Sequence, residues 1–196
     1  MSALLPADPV KRGRIKLLAL AAFFALPVAA GYVAYFLDLA PGSTANYGTL
    51  IPARPLSDTT LQTLEARPFN FSELRGKWLL VQFDSGQCLE YCERKLYFMR
   101  QVRKALGKDM TRVERVWLVN DAQVPGKRLL EAIEGTRLAR AAGSTIAAEF
   151  PAERSVADHV YLVDPHGNLM MRFPRDPDPS RMLKDLQRLM KVSGIG

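Results

Sequence analysis

From Leu17 to Leu37 the sequence runs LLALAAFFALPVAAGYVAYFL, 21 residues without a charged side chain. As a helix rising about 1.5 Å per residue, that run is long enough to cross the hydrocarbon layer of a membrane. Whatever follows has to fold as a separate body beside the bilayer. Lys11, Arg12, Arg14 and Lys16 precede the run, and Asp38 is the first charge after it. Basic flanks stay in the cytoplasm, so residues 1–16 are expected there, 17–37 across the membrane, and the rest outside. Tyr32, Tyr35 and Phe36 crowd the far end, where aromatic rings favour the interface, and a membrane helix tolerates Pro27 as a kink. The competing reading is a cleavable signal peptide, with Leu17–Leu26 as its apolar region and Val28-Ala29-Ala30 as its cleavage site. The apolar run continues well past Ala30, which favours the uncleaved anchor. In a bacterium either reading exports the body, and the anchored form sits in the inner membrane with its C-terminal domain in an oxidising periplasm.

The exported part has to carry one hydrophobic core, and a chain of 196 residues with 48% hydrophobic side chains has the material for it. The net charge of +7 is partly explained by the basic N-terminus. No long basic run or aromatic-basic interleaving follows, so a nucleic-acid groove is not expected. Residues 38–67, with Pro41, Gly42, Gly48, Pro52 and Pro55, read as a linker; residues 68–196 read as the domain.

Within the domain, Phe71 to Lys77 reads as a helical turn stopped by Gly76, and Trp78–Phe83 as a short buried strand. Cys88 to about Leu106 has helical spacing, Val113–Val119 is a second strand, and Lys127 to about Ala142 a second helix. Ser144–Asp158 is expected as a partly buried loop or short helix. His159–Val163 is a third strand, joined through the turn Asp164-Pro165-His166-Gly167 to a hairpin arm at Asn168–Phe173. Asp178–Val192 closes the chain as an amphipathic helix, with Met182, Leu183, Leu186, Leu189 and Met190 inward. Alternating strands and helices followed by a hairpin give a mixed sheet, the α/β plan of a thioredoxin-like domain.

Cys88 and Cys92 are the only cysteines, too few for a framework of several bridges. On a helix, positions four apart share one face, about 5–6 Å between Cβ atoms. That separation suits two sulfurs converging on a soft ion, and it also falls within reach of a disulfide if the helix start deforms. A helix N-terminus favours thiolate, which both chemistries need. A zinc or iron–sulfur site wants four ligands and is commonly cysteine-rich, and only two cysteines and two histidines are present; two sulfurs and one imidazole better describe copper. Two small buried hydrophobes are the plain structural alternative. His159, beside Asp158 as an orienting carboxylate, is the candidate third ligand; His166 lies in the turn at the other end of the strand.

The anchor, the lead-in FSELRGKWLLVQF, the CLEYC pair and the segment DHVYLVDPHGNL together resemble the Sco family over roughly residues 68–192. These are membrane-anchored, thioredoxin-like copper proteins that assist assembly of cytochrome c oxidase. The resemblance implies a copper ion held by Cys88, Cys92 and His159. The implied partners are a copper-containing oxidase subunit or other assembly factors at the membrane. Gln87, Leu89 and Glu93 stand where the family usually places prolines, and the aspartate-rich stretch is reduced to Asn120-Asp121-Ala122-Gln123.

Two functions of different class follow. In the first, a copper chaperone binds through Cys88, Cys92 and His159 and passes the ion on by ligand exchange. In the second, a thiol-disulfide oxidoreductase uses Cys88 to attack and Cys92 to resolve, and His159 is dispensable. A third reading is a degenerate thioredoxin-like module kept only to bind a membrane partner. Whether the chain is an enzyme turns on which reading holds.

Overall fold

The computed structural model describes residues 9–37 and 46–195. The expected features at residues 1–8 and at Asp38, Pro41 and Gly42 lie outside the described residues. The chain divides into two units, the first holding α1 (Pro9–Phe36) and the second beginning at Asn46. Helix α1 includes Gly13–Ala34, 22 residues with a mean hydropathy of 2.1 and none of it buried, which meets the length and composition needed to cross a membrane. Pro27 lies inside this helix.

The second unit is built on one sheet of eight strands in the order β1-β8-β7-β4-β5-β6-β2-β3. In chain order these are β1 (Thr49–Pro55), β2 (Leu61–Thr63), β3 (Pro68–Phe69), β4 (Trp78–Asp84), β5 (Val113–Val119), β6 (Thr136–Arg140), β7 (Val160–Val163) and β8 (Asn168–Arg172). The helices are α2 (Glu90–Ala105), α3 (Lys127–Ala132) and α4 (Pro179–Val192). Strands β4, β5 and β6 run parallel; β7 and β8 are antiparallel additions, with β1 pairing β8 at one edge and β2 and β3 extending the other.

Both central strands read from the sequence are present, and the Asp164–Gly167 turn closes with the Gly167 amide donating to the Asp164 carbonyl at 2.9 Å. Other elements differ from expectation. The stretch read as a linker contains β1 and β2, so much of it belongs to the sheet. The helix expected to run from Lys127 to about Ala142 stops at Ala132, and Thr136–Arg140 is instead the parallel strand β6. Gly135 is the cause: it takes a φ of 77°, which ends the helix and turns the chain onto the open edge of β5.

Alternation along the strands sorts the core onto two faces. Leu79, Val81 and Phe83 of β4 pack with Phe150, Tyr161 and Val163. Trp78 and Leu80 face the other way, with Val160 and Leu162, against Met99 and Val102 of α2 and Met182 and Leu186 of α4. A third cluster extends that helical face, joining Cys88, Cys92 and Leu96 to Trp117, Val119 and Ile133. Fully buried side chains such as Met99, Leu80 and Leu162 each contribute about 1.5–3 kcal/mol, so these faces fix where α2 lies.

Candidate functional site

Strand β4 ends at Asp84, and the loop 85–89 carries the chain into α2. The helix starts at Glu90 rather than at Cys88, with Glu90 and Glu93 in its first turn, where acidic side chains complement the helix dipole. Cys92 therefore lies in the first turn, while Cys88 lies in the loop with a φ of 43°, an uncommon left-handed conformation for a residue other than glycine. The two are joined in a disulfide with Cα atoms 5.1 Å apart. Both are buried, at 3% and 2% exposure, so neither sulfur is presented to solvent in this form.

The loop is held from outside by Asp121, whose carboxylate accepts from the Gly86 amide at 2.9 Å and the Gln123 amide at 3.0 Å. The Ser85 hydroxyl and the Gly86 amide both bond this carboxylate, and they hold its pKa below the usual carboxylate range. Gly86 is pressed so closely on the Gln123 carbonyl that a Cβ there would stand 2.1 Å from the oxygen. Asp121 belongs to the reduced Asn120–Gln123 stretch noted in the sequence, and its visible role is to shape the cysteine loop.

Beneath the disulfide, the carboxamide of Gln82, fully buried in β4, donates from Nε2 to Cys92 Sγ at 3.7 Å. Three residues beyond Cys92, Lys95 is also fully buried. Its ammonium pairs with the Asp84 carboxylate at 3.0 Å and donates to the carbonyls of Phe83, at 3.5 Å, and Ala157. Burial pushes the Lys95 pKa below the usual lysine range, and the Asp84 carboxylate opposes the shift. Tyr91 donates its hydroxyl to the carbonyls of Asp158, at 3.0 Å, and Arg175.

The loop entering β7 thus packs against the start of the cysteine helix, as expected, but what reaches the helix is backbone carbonyl oxygen from Ala157 and Asp158. His159 faces away. It is extended, at φ −124° and ψ 157°, so it shares the sheet face of Tyr161, and the two rings lie 5.8 Å apart. That is the face opposite Gln82 and the helix α2. His159 Nδ1 is 2.8 Å from the Phe173 carbonyl. Asp158 does not orient the ring: its carboxylate pairs with Arg175 at 3.2 Å and Arg154 at 3.9 Å. His166 is exposed in its turn.

As a copper site the disulfide form does not assemble. The sulfurs are bonded to each other, the His159 ring lies on the Tyr161 face of the sheet, and the cationic groups of Lys95 and Arg175 lie over the Tyr91 ring, 4.8 and 5.8 Å from its centroid. Among the described residues, no group of three or more His, Cys, Asp or Glu side chains is placed to hold a metal ion. Reduction would free two thiolates, a donor set suited to Cu(I). The arrangement itself supports opening and closing of a disulfide at the end of a central strand. Gln82 and Lys95 are the functional candidates that residue reading overlooked. Their signals were a polar residue inside WLLVQF and a lysine on the apolar stripe of α2, next to Leu96.

Over residues 78–193 the sequence matches the family described as transmembrane-like, thioredoxin-like, C-terminal domain. No curated protein sequence matches. Apo Sco1 from Thermus thermophilus is similar in structure, at 21% identity and a TM-score of 0.60, over 76% of this chain and 99% of that one. Yeast Sco1 with copper bound is similar at 16% identity and a TM-score of 0.58, over 71% of this chain and 96% of its own. MTB DsbF, in its mixed oxidised and reduced forms, is similar at 19% identity and a TM-score of 0.52, over 67% of this chain and 95% of its own. At such identities the likeness establishes the fold: a thioredoxin-like α/β domain, here preceded by one apolar helix.

Proposed function

Because the chain belongs to the transmembrane-like, thioredoxin-like C-terminal domain family, we propose that it is a membrane-anchored thiol-disulfide exchange protein whose redox pair is Cys88 and Cys92. One observation carries the reading: the two cysteines close a disulfide where β4 hands over to α2, over a buried amide that bonds Cys92. In the reduced form the Cys88 thiolate attacks a disulfide sulfur of an exported partner, and the partner's other sulfur leaves as thiolate. Cys92 then attacks Cys88, releasing the reduced partner and closing the bond seen here. A membrane dithiol donor restores the pair. Cys88 is given the attacking role because it sits in the loop, whereas Cys92 is fixed in the helix and bonded from below. Basic residues before the apolar helix support a domain facing the periplasm, and the Sco-like neighbours suggest a copper-binding subunit of cytochrome c oxidase as the partner whose cysteines are kept reduced.

The test is to express the full chain as Cys92→Ser and isolate adducts. A mixed disulfide through Cys88, released by dithiothreitol and lacking in Cys88→Ser, is expected. A native disulfide that dithiothreitol does not open, with no adduct from either variant, would overturn the reading.

A second reading takes copper as cargo, and the copper bound to yeast Sco1 favours it. Reduced Cys88 and Cys92 would supply two thiolates to Cu(I), with His159 joining after its loop leaves the Phe173 carbonyl. Titration of the reduced full chain with Cu(I) should then saturate near one equivalent. Retained binding in a Cys88→Ser variant would remove the reading. A loss in His159→Ala as well as in Cys88→Ser would show that the histidine crosses to the sulfurs.

A further inference from the structure

Gln82 is hard to account for as a structural residue. It sits between Val81 and Phe83 in a central strand, is fully buried, and leaves its Oε1 without a hydrogen-bond partner. An unpaired buried carbonyl carries a desolvation cost that an apolar side chain of similar size would not. Its Nε2 is already turned to Cys92 Sγ, at 3.7 Å. A disulfide sulfur can only accept, so in the oxidised form the amide has use for its N–H alone. A thiol has a proton to give.

We propose that Gln82 is a positioning residue that sets the redox balance of the pair, its Oε1 accepting a hydrogen bond from the Cys92 S–H once the disulfide is opened. This deepens the thiol-exchange reading and rests on it. In the step, a donor dithiol gives up two electrons and two protons and becomes a disulfide. The Cys88–Cys92 bond breaks, one proton ends on each sulfur, and the proton on Cys92 points at the waiting carbonyl. Rotation about the last side-chain torsion of Gln82 exchanges N–H for C=O without moving the strand. The carbonyl orphaned in the oxidised form gains the S–H in exchange for an N–H contact to sulfur, a weak acceptor, and on that balance the amide favours reduction. One other group competes for the same oxygen: the Trp117 indole N–H, cross-strand partner of Gln82 in the register, is also buried and unpaired.

The experiment equilibrates the full chain in detergent with glutathione redox buffers, as wild type and as Gln82→Met, which keeps the length and loses both polar atoms. Gln82→Met is expected to shift the equilibrium toward the disulfide by roughly three- to tenfold, one hydrogen bond's worth. An unchanged constant, or a shift toward the dithiol, would overturn the role of Gln82. If the wild type itself never equilibrates with glutathione, the thiol-exchange reading fails first, and the two failures are told apart. Should Gln82→Met not fold, the infrared S–H stretch of the reduced wild type decides. A band shifted to lower frequency and lost in Cys92→Ser is expected. An unshifted band assigns Gln82 Oε1 to the Trp117 indole and ends the proposal.

Discussion

Asp121 does with one carboxylate what a pair of prolines could do with rigid rings: it fixes the path of the loop into the cysteine helix. Two backbone amides and the Ser85 hydroxyl converge on it, and Gly86 can lie against the Gln123 carbonyl only because it has no Cβ. Its pKa in the fold lies below the ordinary carboxylate value. The stabilisation is therefore fully present above that ordinary value and is lost as the pH falls through the folded one. Hydrogen-exchange protection of the Gly86 and Gln123 amides should fall on acidification through that window, and Asp121→Asn should abolish the pH dependence. Protection independent of pH in the wild type would mean that the carboxylate does not hold the loop. Gly86→Ala should destabilise the domain by about 1–3 kcal/mol in urea unfolding, since the added methyl meets backbone. A variant as stable as wild type would show that the loop yields freely.

At the scale of elements, the central strands and the last helix were legible because their patterns are local. WLLVQF is a short apolar run, Val113–Val119 is another, and Asp178 caps α4 by accepting from the Ser180 and Arg181 amides. Strand β6 was hidden because Leu138 and Ala142 continue the helical spacing of α3, and periodicity weighed more than Gly135 in the reading. Strand β1 was hidden because it is an exposed edge strand without alternation, so its prolines read as tether, and β2 because it is only three residues long. The site was legible as a position at the mouth of α2, but the side of the sheet on which His159 lies depends on the register of β7 with β4. Helix α2 also carries the buried Lys95–Asp84 pair, whose ammonium ties the helix to the segment leading into β7. Lys95→Met removes one partner and leaves the partly exposed Asp84 carboxylate with the Ser85 amide, at a cost of about 1–3 kcal/mol. Chemical unfolding should show that loss, and a double variant with Asp84→Asn should recover part of it. Equal stability of wild type and Lys95→Met would mean that the pair contributes nothing.

For the molecule as a whole, an apolar helix long enough to cross a membrane and a folded domain share one chain, so the domain has to be fastened where it begins, at residues 46–48. The fastening is Asp185 of α4, buried at 2% exposure, whose Oδ2 accepts from the Tyr47 and Gly48 amides at 2.8 Å each. The Tyr47 hydroxyl accepts in turn from the Asp178 amide at 2.8 Å, and Gly48 is packed against Met171. The entry to the domain is thereby tied to its final helix, and β1 is delivered to the edge of β8. Asp185→Ala would leave two backbone N–H groups without their acceptor, one of them fully buried, at a combined cost of about 3 kcal/mol. For a domain of this size that corresponds to a Tm lower by roughly 10 °C. Asp185→Asn keeps one acceptor oxygen and should lose roughly a third as much. Calorimetry of the full chain in detergent separates the cases. A graded loss, Ala greater than Asn, with amide exchange rising first at Tyr47, Gly48 and β1, is expected if the entry is pinned through this carboxylate. A Tm unchanged by Asp185→Ala would place the fastening elsewhere.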